Sequence, residues 1–273
     1  MSGGIELVVI GADGGPERGY AGSARAGEGA RLLADTLPGR TFDAGCRVTE
    51  VPPGADANAM LTALRAAAQR PARWLVVCLL GQLTVDPRGR RLALVTGGST
   101  PDNAYRRGLA WDWVVSTMVH GDQEDTLLLL DAVADRETWA ALERGGEDGA
   151  GELLSHSRVP LWGRLGRYTP GRRGRDAVLP GGPGSFSQAL ARVVEHGVPG
   201  APAAVGPVEL QPAVEAELAE SGEAARLLTP GENGRLLMRN RASVRGALAG
   251  LSLSEELLAV LWRENAPTDP PSA

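Results

Sequence analysis

A hydrolytic site needs a nucleophile beside a base, and this chain of 273 residues supplies few side chains that could form one. Its two cysteines, Cys46 and Cys78, have no CxxC spacing and lie in or beside strand-like runs. That pattern reads as two reduced, buried thiols rather than a disulfide or a redox pair. Of the three histidines, His120 follows Ser116 by one helical turn, so the two could touch. A histidine at a helix end more often meets the helix dipole or solvent, and that reading is preferred. His156 and His196 have no nucleophile or carboxylate at a partnering spacing. There is no zinc-ligand spacing and no specific pair of carboxylates, so neither metal nor cofactor is expected. All 28 basic residues are arginines. The lack of lysine excludes a Schiff-base lysine, a pyridoxal-phosphate anchor and a P-loop lysine.

The elements that would position any chemistry are dominated by two apolar runs, RWLVVCLLGQL (Arg73–Leu83) and TLLLLDAVADR (Thr126–Arg136). Each is of strand length and shows no period-2 alternation, as expected of strands buried on both faces of a parallel sheet. Sites in open α/β sheets lie beyond the carboxyl ends of the strands. The residues to read for function are therefore Gly81-Gln82-Leu83 and Asp131-Ala132-Val133-Ala134.

Around these runs the periodicity predicts strands at Ile5–Ile10, Cys46–Val51, Arg91–Val95, Val159–Leu165 and Arg235–Met238. It predicts helices at Gly29–Leu37, Asn58–Gln69, Leu109–His120, Thr138–Arg144, Phe186–His196 and Leu210–Glu220, with Ser185 as an N-cap. Thr96–Arg107 reads as a loop. Ser252-Leu253-Ser254-Glu255 is a capping-box pattern ahead of a last amphipathic helix, Ser254–Asn265. The alternation of strands and helices argues for a largely parallel sheet with helices on both faces.

Composition narrows the function classes. A hydrophobic share of 43% with 22% charged residues suits a globular protein. A net charge of −5 argues against a general nucleic-acid binder, which carries a basic footprint. No apolar run approaches the roughly 18 residues of a membrane span, and the N-terminus lacks a basic leader, so a cytoplasmic location is expected. GADGG after the first strand is a rival signal, since a glycine-rich turn can cradle a phosphate in a Rossmann-like nucleotide-binding protein. The full GxGxxG is absent and the helix is expected to start late, near Gly29. RLGRYTPGRRGR (Arg164–Arg175) reads as a solvated arginine-rich loop ahead of a nucleic-acid patch, because the rest of the chain is acidic.

The ordered set of these segments resembles the caspase–metacaspase superfamily, its bacterial members above all. LVVIGADGG (Leu7–Gly15), Ala30–Leu37, the two apolar runs with VDPRGRRLALVT (Val85–Thr96) between them, GSFSQALARVVEHG (Gly184–Gly197) and RLLMRNRA (Arg235–Ala242) carry the likeness. The resemblance implies a three-layer caspase-like sandwich: a mostly parallel six-stranded sheet with helices on both faces. It implies a caspase-like domain over 1–242, with a large-subunit-like part at 5–145, a linker with the arginine-rich loop at 146–184 and a small-subunit-like part at 185–242. A helical extension at 243–266 and a disordered tail at 267–273 follow.

The family places a base after the first key strand, in Gly-His-Gly, and a nucleophile after the second, in Asp-x-Cys-x-Ser-Gly. Here Gln82 stands at the histidine position and Val133 at the cysteine position. An amide is not basic near neutral pH, and an aliphatic side chain has no nucleophilic atom. The resemblance makes Asp131 either a relic of the pocket for a basic substrate side chain or a turn-capping carboxylate, and the second is preferred. It also places Arg164, Arg167, Arg172, Arg173 and Arg175 between the two subunit-like parts, where active relatives are often cut, as a cleavage or partner loop. The function expected is a catalytically inactive binding or regulatory protein. Its partner is a protein or peptide, an active caspase-like peptidase being the first candidate, with no nucleic acid and no membrane. An active cysteine endopeptidase with a shifted site is the alternative, and a Rossmann-like nucleotide binder is the second.

Overall fold

A computed structural model describes residues 4–12, 24–39, 41–42, 45–88, 91–100, 103–144, 153–154, 156–168, 178–219, 225–229 and 236–243. The first strand, β1 (Ile5–Gly11), is buried throughout and pairs in parallel with β2 (Cys46–Val51) on one side and β3 (Trp74–Val85) on the other. β3 pairs in parallel with β6 (Asp125–Ala134), and β6 with β7 (Leu161–Arg167). β9 (Ala225–Leu228) closes this edge antiparallel to β7. The main path is thus six strands in the order β2-β1-β3-β6-β7-β9, mostly parallel, as the resemblance implies. Two short strands, β4 (Leu92–Leu94) and β5 (Leu109–Ala110), add to it antiparallel, β4 alongside the last three residues of β3 and β5 alongside β4.

The continuous apolar runs become central strands because both of their faces are covered. Residues 75, 77 and 79 of β3 and 128, 130, 132 and 134 of β6 face one cluster, which they share with α2 (Ala57–Ala68) and α4 (Trp111–Val119) and with Trp139 and Leu142 of α5 (Arg136–Arg144). Residues 74, 76, 78 and 80 of β3, 127 and 129 of β6, and Trp162 face the other cluster. There they meet α1 (Ala24–Thr36), α6 (Phe186–His196) and α7 (Pro207–Ala219). The helices start where their caps allow: the Asp56 side chain accepts from the Ala59 amide at 2.8 Å, and Ser185 accepts from the Gln188 amide at 3.4 Å. The remaining elements are α3 (Ala104–Arg107) and the two-stranded ribbon of β8 (Ala204–Val205) with β10 (Met238–Arg239). Among the described residues no helix is long and apolar enough to cross a membrane.

Several expectations need correcting. The strand expected at Val159–Leu165 lies at Leu161–Arg167 and is the fifth strand of the six-strand path. The arginine-rich loop does not begin at Arg164: β7 carries the chain to Arg167, and Arg164 is buried at 1% exposure. Register explains this, since Arg164 alternates with Leu165 and pairs beside Asp131 on one side and Leu227 of β9 on the other. Arg235–Met238 is not the closing strand. Its residue Met238 belongs to the small ribbon, and the sheet is closed by β9, a segment that carried no strand signal. The loop expected at Thr96–Arg107 includes the short α3, and the helix expected from Gly29 already begins at Ala24. Arg172, Arg173 and Arg175, most of GADGG, the acidic glycine-rich stretch at 145–151 and the helix and tail expected after 243 lie outside the described residues.

Candidate functional site

The carboxyl ends of β3, β6 and β7 bring the sequence-selected residues together. In register, Leu80 lies beside Asp131 and Arg164, and Gln82 lies beside Val133 and Gly166. Residues two apart on a strand share a face. Leu80 and Gln82, Asp131 and Val133, and Arg164 therefore all project from the face that carries α1 and α6. Neighbouring strands lie about 4.8 Å apart, so Gln82 and Val133 are direct lateral neighbours. Both are enclosed, at 3% and 2% exposure.

The pairing continues straight through Gly81, at the bend of the β3 end. Its φ is +152°, and a Cβ there would sit 2.9 Å from the Ala12 carbonyl oxygen and 3.2 Å from Leu94 Cδ1. Glycine is thus required by both conformation and space. The Ala12 amide donates to the Leu80 carbonyl at 2.8 Å and the Val95 amide to the Gln82 carbonyl at 2.8 Å, so the backbone around the mouth is pinned on both sides.

Asp131 is buried and works as an acceptor hub. Its Oδ2 receives the Ser187 hydroxyl at 2.6 Å, the Ser187 amide at 2.9 Å and the Gly181 amide at 3.3 Å. Ser187 is in the first turn of α6, so the carboxylate sits where orphan amides and the positive end of the helix dipole favour an anion. Asp131 thus contacts the first turn of a helix 56 residues downstream rather than a local turn. Ser187 and Gly181 were missed by sequence reasoning. Ser185 gave the only signal, as an N-cap, and its Oγ lies 3.0 Å from the Ser187 Oγ.

None of the nucleophile candidates is activated. Cys78 is fully buried among β1, β3 and α1 residues, and burial pushes its thiol up, helped by Cys46. Cys46, half-buried on the edge strand β2, has its thiol pushed up to about 11 by burial and by the nearby Glu6 carboxylate. That carboxylate is committed to Arg47 and Arg70, each at 3.1 Å. The His120 ring lies 2.8 Å through Nδ1 from the Ser116 carbonyl oxygen, not from its hydroxyl. His196 makes the same local contact with the Arg192 carbonyl at 2.9 Å, and His156 accepts from the Arg158 amide at 3.2 Å. Among the described residues no cysteine is hydrogen-bonded to a histidine, and no group of three or more His, Cys, Asp or Glu side chains could hold a metal ion.

The raised thiol pKa values give a directional prediction. A thiol whose folded pKa exceeds its unfolded value near 9.0 holds its proton better when folded. The stability this contributes is fully present below pH 9 and falls as pH rises through 9 towards 11 and beyond. At pH 8 a thiol reagent is expected to label Cys46 slowly and Cys78 only after denaturation. Rapid labelling of either thiol in the folded protein would contradict this.

No protein-family model matches the chain, and no curated protein is similar to it at a significant level. Among solved structures it is similar to caspase-1 from Spodoptera frugiperda, with 14% sequence identity and a TM-score of 0.47, over 83% of this chain and 86% of that one. It is also similar to drICE, with 13% identity and a TM-score of 0.43, over 84% of this chain and 87% of that one. The caspase-like architecture is assigned on the strand order and layers of this chain itself.

Proposed function

We propose that this chain is a caspase-fold protein without peptidase chemistry that serves as a binding or regulatory partner of another protein, first of all an active peptidase of the same superfamily. The observation that carries the reading is the pair Gln82 and Val133, side by side at the end of the sheet and both enclosed. An amide cannot take the proton from a thiol, and valine offers no thiol to attack with, so neither half of a cysteine–histidine dyad is present. The two real cysteines sit elsewhere with their thiols held protonated. Because Gln82 and Val133 are enclosed, partner binding is assigned to surfaces other than a peptide groove over these two residues.

The test is a peptidase assay with two arms. Fluorogenic peptides ending in Arg or Asp are expected to show no turnover above buffer with this chain alone. Turnover that disappears in Cys46→Ser would instead establish a working cysteine peptidase and end the inactive reading. In the second arm this chain is added to an active, basic-specific member of the superfamily, whose rate is expected to change. An unchanged rate across a saturating titration removes the regulatory half of the proposal.

A further inference from the structure

The hub on Asp131 holds a segment of chain as well as a helix. Between Leu179 and α6 the backbone runs Pro180-Gly181-Gly182-Pro183-Gly184-Ser185, turning at Gly181 (φ +75°) and Gly184 (φ +74°). Two short turns fold it, the Gly182 amide to the Leu179 carbonyl at 2.9 Å and the Ser185 amide to the Gly182 carbonyl at 3.1 Å. It lies against the N-terminal half of α1 so closely that a Cβ on Gly181 would fall inside the Arg25 carbonyl group. A Cβ on Gly29 would meet Leu80 Cδ2 at 2.8 Å and Ser187 Oγ at 3.0 Å. The segment thus crosses the face of the sheet over Leu80 and Asp131, two register positions short of Gln82 and Val133.

We infer that Gly181–Ser187 is a strap closed by its hydrogen bonds to Asp131, and that breaking this latch opens the α1-side of the sheet mouth. The latch is lopsided. Asp131 Oδ2 takes three donors, while Oδ1, equally buried, has no hydrogen-bond partner among the described residues. A buried carboxylate oxygen without a donor is costly, and water would satisfy it as soon as the strap lifts. The closed state therefore carries a penalty that the open state does not, which brings the two closer in free energy. Hinges are present where they are needed, at the glycines of positive φ, and because Ser185 and Ser187 belong to the strap the first turn of α6 moves with it. Lifting it would uncover Asp131 with Arg164 beside it in register, a charged surface where the closed state has none. This deepens the proposed partner role by giving it a moving part, but it does not depend on the chain being inactive.

Hydrogen–deuterium exchange on the full chain tests it without any ligand. Ser187→Ala removes the shortest of the three donors and keeps both amides. Peptides covering 178–188 are expected to exchange at least tenfold faster in that variant, while peptides covering 74–85 and 125–134 keep their protection. Asp131→Asn should act in the same direction. Strap exchange unchanged in Ser187→Ala, or raised only in proportion to the β6 peptides, overturns the proposal, because the segment would then be a fixed part of the core. If Asp131→Asn fails to fold, Ser187→Ala alone decides. The peptidase assay can fail while this succeeds, and the reverse, so the two readings separate.

Discussion

Trp162→Ala is expected to lower the unfolding free energy by about 3–5 kcal/mol, the range for deleting a large aromatic side chain from a core. Trp162 is fully buried on β7, stacks edge-on against Phe186 of α6 with ring centroids 5.4 Å apart, and donates from its indole nitrogen to the Gln211 side chain of α7. One residue thus ties the fifth strand to both α6 and α7. Its loss leaves a cavity, removes the aromatic pair and deprives the Gln211 carbonyl of its indole donor. A urea titration reads the result as a shift of the midpoint at constant slope. If residues 146–184 were only a surface linker, the same substitution would cost less than about 1 kcal/mol, as surface changes usually do. The midpoint therefore decides whether β7 is integral to the domain.

The central strands were legible because burial on both faces leaves a mark that needs no partner to be read. Leu75–Leu80 and Leu127–Leu130 are apolar at every position, and the structure places them at the centre of the sheet. Phe186–His196 was legible for a different reason: Ser185 marks its start and Gly197, at φ +77°, its end. Edges were harder. Ala225–Leu228 is only half-buried, alternates weakly and becomes a strand because β7 offers it a ladder. The strand predicted at Val159–Leu165 falls at Leu161–Arg167, and the arginine-rich reading overlapped it from Arg164 onward. Arg164 looks like a loop residue by composition, and only its register beside Asp131 shows why it is inside.

The candidate site was legible as two positions but not as an environment. Gln82 and Val133 were found because each lies at the end of an apolar run, and parallel pairing that aligns Trp74 with Asp125 puts them side by side. What surrounds them comes from far away in sequence. Ser187 and Gly181 reach Asp131 across 56 and 50 residues, and no local pattern encodes that contact. The glycines that make it possible, Gly29 in α1 and Gly181 in the strap, read in sequence as a weak helix position and a flexible linker. In space they are the places where two backbones come closest. A close backbone approach is a property of a pair of segments, so a single sequence cannot display it.

Gly163→Ala provides the sharpest test of that point. Gly163 has φ +155° and pairs with Leu130, and an added Cβ would fall inside the Leu130 carbonyl group. Two separate penalties follow. A side chain in this backbone region costs about 1–3 kcal/mol, and forcing extra volume into a packed strand pair costs about 1–3 kcal/mol more. The expected loss is therefore roughly 2–6 kcal/mol by the same two principles. Gly39→Ala is the matched control. Its φ of +68° is also positive, but nothing lies within 4 Å of where its Cβ would be, so only the conformational penalty applies. A urea midpoint that falls further for Gly163→Ala than for Gly39→Ala assigns the difference to the contact between β6 and β7. Equal shifts would mean that the two strands can part at Leu130 without cost. Asp131, the next residue along β6, would then lose the fixed position on which the latch depends.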